Sequence, residues 1–96
     1  MGIILENTFT AEIEHCGMEG GWHIVPVPKE LSEPYRPLAI NFGFIPIVAK
    51  VGNSSWQTSL LPSGDGTHFI ALPAKVRKAE NLSLGSTVSL SFEPRV

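Results

Sequence analysis

The sequence predicts a mainly β fold, a small barrel of six strands with one or two short helices, in a single domain over residues 1–96. Three observations carry this prediction. Apolar and polar residues alternate with the two-residue period of half-buried strands in segments spread along the chain. Turns bearing glycine or proline separate those segments, and Pro34 and Pro37 confine the first helical pattern to a short piece. Closing several short strands into a barrel protects edges that an open sheet leaves free to pair with other chains.

From Ile3 to Ile13 the odd positions Ile3, Leu5, Asn7, Phe9, Ala11 and Ile13 share one face, and Glu6, Thr8, Thr10, Glu12 and Glu14 share the other. Cys16-Gly17-Met18-Glu19-Gly20-Gly21 interrupts this strand with a glycine-rich turn. A second strand follows at Trp22–Val27. Pro28 to Tyr35 fits one short helical turn with Leu31 and Tyr35 on the same side. Asn41-Phe42-Gly43-Phe44 reads as an apolar loop entering a strand at Ile45–Val51, where Pro46 favours a sheet edge or the strand's beginning.

Gly52-Asn53 makes a tight hairpin to the next strand, Ser55–Leu61. Pro62-Ser63-Gly64-Asp65-Gly66 reverses the chain into an extended segment, Thr67–Leu72. Pro73 suits the first helical position, N1, of a short helix ending at Ala79, with Leu72, Val76 and Ala79 facing the sheet. After Leu84-Gly85, the segment Thr87–Glu93 alternates again, placing Val88, Leu90 and Phe92 inward, and Pro94 marks its end.

Three of these stretches together carry a family resemblance: Gly21-Trp22-His23-Ile24-Val25-Pro26-Val27-Pro28-Lys29, Gly52-Asn53-Ser54-Ser55-Trp56-Gln57-Thr58-Ser59-Leu60-Leu61-Pro62, and Leu72-Pro73-Ala74-Lys75-Val76-Arg77-Lys78-Ala79 before Leu84-Gly85-Ser86-Thr87-Val88. The chain resembles the bacterial and archaeal family of small domains of unknown function numbered 1905. That resemblance implies a six-stranded split β-barrel with short helices, and an acidic residue in the turn that Ser86 occupies here. It implies no reaction.

Composition narrows the functional classes. At 96 residues and 43% hydrophobic content the chain can bury one core without metal or disulfide staples, and no cofactor is called for. The net charge of -2 supplies no general attraction to nucleic acid or anionic membranes. No apolar run is long enough to span a bilayer, and Met1 to Asn7 lacks the basic region of a secretory signal, so the expected setting is cytoplasmic. Cys16 is the only cysteine, which excludes an internal disulfide.

Each candidate for chemistry has a plain structural alternative. His15 beside Cys16 suggests a thiol and imidazole pair, yet successive strand residues point to opposite faces. His15, His23, His68 and Cys16 supply enough donors for a metal but lack the paired spacing of a zinc motif, so no metal site is assigned. Gly64-Asp65-Gly66 is too short for a phosphate loop, and there is no G-x-S-x-G elbow. Lys75, Arg77 and Lys78 form the densest basic stretch, with Arg77 projecting away from the face shared by the two lysines.

Trp22 and Trp56, whose rings can stack on a ligand, join Lys75, Arg77 and Lys78 as ligand-binding candidates. Tyr35, Phe42 and Phe44 offer further aromatic surface. The resulting expectation is a noncatalytic module for a small anion or metabolite, or for interaction with a partner. The alternatives are a small enzyme using Cys16 with a nearby histidine and a weak nucleic-acid-binding barrel. A homodimer is expected only if Trp22 and Phe44 form a shared exposed rim.

Overall fold

In the computed structural model, which describes residues 7–16 and 21–95, the alternating N-terminal segment forms a strand that breaks once. β1 spans Asn7–Glu12 and β2 spans Glu14–Cys16. Phe9 and Ile13 are buried, whereas Thr8, Thr10, Glu12 and Glu14 are exposed, as the two-residue period requires. Ile3, Leu5 and Glu6, and the turn residues Gly17 to Gly20, lie outside the described residues.

The break at Ile13 closes the architecture. β1 pairs antiparallel with β7 (Thr87–Pro94), while β2 pairs antiparallel with β3 (Trp22–Val27). Between them, the Ile13 N–H donates to the Ser86 carbonyl at 2.9 Å and its own carbonyl accepts from the Gly85 N–H at 3.0 Å. Both backbone groups of the break are therefore satisfied, although its side chain is buried.

With β4 at Ile45–Val51, β5 at Ser54–Pro62 and β6 at His68–Ala71, the seven strands run β1-β7-β4-β5-β6-β3-β2. The two ends of that order are successive halves of one segment, so the antiparallel sheet curls into a split β-barrel. Counting β1 and β2 as one bent strand recovers the six strands expected from the sequence. The interior is filled by Ile13, Val25, Ile45, Ile47, Leu60, Ile70 and Leu90, each 2% exposed or less. Each such side chain contributes roughly 1.5–3 kcal/mol of burial free energy.

Pro46 sits on an inner strand, which is allowed because it is the second residue of β4 and pairing with β7 begins only at Ile47. The helical turn after β3 is α1 (Lys29–Ser32), which tightens into a 3₁₀ helix at Glu33–Leu38 that contains Pro34 and Pro37. Leu31 and Tyr35 both pack on the core. Tyr35 meets Phe92 edge-on at 6.0 Å, and its hydroxyl accepts from Asn7 Nδ2 at 2.8 Å, which satisfies a polar residue on the inward face of β1.

The second helix, α2, covers Ala74–Ala79. Pro73 is its N-cap, with extended backbone at φ -64° and ψ 151°, so Ala74 and not Pro73 takes the N1 place expected from the sequence. Leu72 and Val76 are buried as expected, but Ala79 is exposed. The reason is the helix terminus: Asn81 adopts φ 56°, its N–H reaches the Lys78 carbonyl, and the Leu82 N–H reaches the Arg77 carbonyl. This Schellman turn brings Leu82 against the core in the role assigned to Ala79.

Candidate ligand cavity

Arg77 leaves α2 on the side away from its exposed lysines. Its Nε donates to the Leu72 carbonyl at 3.1 Å, and Nη1 stands 3.4 Å from His23 Nε2. Leu72 and His23 are themselves joined by a backbone hydrogen bond of 2.9 Å, so the segment leading into α2 and β3 hold the guanidinium from two directions. Among the described residues no carboxylate pairs with Arg77. A half-buried guanidinium is thus oriented by the Leu72 carbonyl and the His23 imidazole.

His23 faces a second imidazole. β2 and β3 place His15 directly opposite, and the rings meet edge-on at 5.9 Å. Burial, the Arg77 guanidinium and His15 together hold the His23 pKa below the usual imidazole value. A neutral ring with Nε2 accepting from Arg77 carries its proton on Nδ1.

Two tryptophans complete the walls of an open cavity of about 520 Å³. Trp22 on β3 is 56% exposed, and Trp56 on β5 is half-buried. The Trp56 Nε1 is buried and has no hydrogen-bond partner among the described residues. An orphaned buried donor of this kind costs about 1–3 kcal/mol. Gln57 and Thr58 add polar lining and Leu61 an apolar surface.

Three of the five sequence candidates, Trp22, Trp56 and Arg77, therefore converge on one cavity. Lys75 and Lys78 are exposed and do not line it. His23 was visible in the sequence only as one of three histidines, and its place beside Arg77 has no local signal. Cys16 lies opposite Trp22 in the β2–β3 register, whereas His15 lies opposite His23, so the adjacent thiol and imidazole belong to opposite faces. His68 is remote from that pair in hydrogen bonding, with its Nδ1 3.2 Å from Ser32 Oγ. No group of three or more His, Cys, Asp or Glu among the described residues is placed to hold a metal.

The remaining turn residues have structural roles. Asp65 accepts from both the backbone N–H and the hydroxyl of Thr67, which lowers its carboxyl pKa. Ser86 Oγ accepts from the Ser83 N–H at 3.1 Å, the kind of turn cap that an acidic side chain also supplies. A cavity of about 270 Å³ over β4 and β7 is bordered by both Lys50 and Glu93, so its opposite charges offset one another.

A match to the family described as Domain of unknown function (DUF1905) spans residues 9–92, from within β1 to within β7, and includes α2. The chain belongs to the DUF1905 family. The match includes every residue lining the Trp22–Trp56 cavity of this DUF1905 domain. No curated protein matches the chain.

Proposed function

We propose that the domain binds a small planar anion in the cavity between β3, β5 and α2, with Arg77 receiving the charge and Trp22 and Trp56 receiving the ring. The observation that supports this reading is the Arg77 guanidinium, held by Leu72 and His23 without a carboxylate among the described residues. A carboxylate is planar and matches the guanidinium fork, and an aromatic carboxylate adds a face for tryptophan. Lone Cys16 is consistent with a reducing, cytoplasmic setting for this binding role.

Titration with benzoate, followed by tryptophan fluorescence and calorimetry, tests the proposal. Benzoate should bind saturably and about tenfold or more tightly than benzamide, which has a similar shape and no charge. Folded Arg77→Gln should lose that preference. Equal affinity for the two probes, or an unchanged benzoate affinity in Arg77→Gln, would overturn the reading.

A further inference from the structure

A second cavity lies at the other end of β6, and its polar groups are arranged for a different ligand. Ser32 is fully buried at the end of α1, and His68 is 6% exposed at the start of β6. Ser32 Oγ stands 3.3 Å from the Lys29 carbonyl and 3.2 Å from His68 Nδ1, and when its proton goes to that carbonyl it accepts from His68 Nδ1–H. Nε2 is then a bare lone pair, and among the described residues nothing donates to it.

His68 lines a cavity of about 350 Å³ together with Arg36, Thr67, Phe42, Gly64 and Gly66. Arg36 is close enough to act with burial in keeping the imidazole neutral. It pairs with no carboxylate among the described residues, and the nearby Asp65 is engaged by Thr67. At the rim, Phe42 is 90% exposed and holds the left-handed backbone conformation, φ 62° and ψ 20°. A non-glycine residue in that region costs about 1 kcal/mol or more and is retained where surrounding structure demands it.

We infer that this cavity is a site for a small 2-hydroxy carboxylate, whose carboxylate pairs with Arg36 and whose hydroxyl donates to His68 Nε2. The two requirements come from separate groups. Arg36 selects for negative charge, and an imidazole whose proton is fixed on Nδ1 selects for an O–H donor. A simple carboxylate satisfies only the first. The analogue without the hydroxyl forgoes the hydrogen bond to Nε2, which is how such sites discriminate. The volume suits a molecule of a few carbon atoms, and the site does not depend on the Trp22–Trp56 cavity.

Lactate and propionate, which differ by the hydroxyl, are the probes, with binding followed by imidazole ¹⁵N and backbone amide shifts in the full chain. Lactate should bind at least tenfold more tightly than propionate and should move the His68 Nε2 resonance. Arg36→Gln should weaken both, and His68→Phe should abolish the difference between them. Arg77→Gln should leave lactate binding unchanged, which separates this site from the first cavity. Equal affinities, an unmoved Nε2 resonance in the wild-type protein, or unaltered lactate binding in Arg36→Gln would each overturn the inference; the wild-type resonance decides the matter if His68→Phe fails to fold.

Discussion

Ser54 donates its hydroxyl to Glu80 Oε2 at 2.7 Å, and the same carboxylate occupies the space that a side chain at position 52 would need. The β4–β5 hairpin is thereby tied to the C-terminal end of α2, the helix that carries Arg77 into the cavity. Gly52 has φ 56°, so the hairpin turn and the approach of Glu80 both call for glycine at this one position.

Gly52→Ala should therefore be more damaging than a conformational penalty alone. The left-handed backbone costs an L side chain roughly 1–2 kcal/mol, and the displaced Glu80 would also release Ser54. Gly64→Ala meets no neighbouring atom within 4 Å, although its φ of 94° is also unfavourable. Urea denaturation should show the larger loss in Gly52→Ala; an equal loss would remove the role given to Glu80.

The two tryptophans should separate binding from stability. Trp22 is mostly exposed, so Trp22→Ala should change unfolding free energy by no more than about 0.5 kcal/mol while weakening benzoate about tenfold. Trp56→Phe removes the orphaned Nε1–H together with some packing area, two effects of opposite sign on stability. Its stability should therefore stay within about 1 kcal/mol of wild type, as judged by thermal unfolding.

Benzoate binding should strengthen as pH falls through the His23 transition. In the free protein, burial, Arg77 and His15 disfavour the imidazolium. A bound anion offsets that repulsion and raises the His23 pKa, so binding takes up a proton. Affinity should rise below the bound-state pKa and level off below the free-state value, while the carboxylate remains ionised. The charged or titratable neighbours are Arg77 on α2 and His15 on β2, and His15→Gln should shift the profile upward by removing one opposing charge. A flat affinity profile between pH 5 and 8 in buffers of constant ionic strength would contradict this coupling.

His68 should make the fold acid-sensitive. Its pKa in the folded protein is lowered by burial and by Arg36, so in the window below the unfolded value of about 6.5 the unfolded chain binds more protons. Stability is complete above that value and declines as pH falls through the folded pKa. His68→Phe should flatten this part of the stability curve, measured by urea unfolding at pH 7 and pH 5.

Substitutions at Leu60 and Ala79 should differ sharply. Leu60 is fully buried on β5, and Leu60→Ala should cost about 2–5 kcal/mol through lost burial and the resulting cavity. Ala79 is exposed, and Ala79→Gln should stay within about 0.5 kcal/mol of wild type. A core-sized loss at Ala79 would restore the inward role that the helical spacing first suggested.

Local chemistry determined much of this protein. Trp22–Val27, Ile45–Val51 and Ala74–Ala79 have the limits expected from alternation, turn residues and Pro73, because those signals act over a few neighbouring positions. Helical spacing likewise separated Arg77 from Lys75 and Lys78. The tertiary structure decided where the first strand breaks, since Ile13 answers to the turn at Gly85 and Ser86 on the far side of the sequence. It also brought Arg77 to His23 across 54 positions and Ser32 to His68 across 36. Such meetings depend on strand order and register, which join distant segments through backbone hydrogen bonds and shared burial, and a repeating pattern within one segment contains neither its partner nor its register.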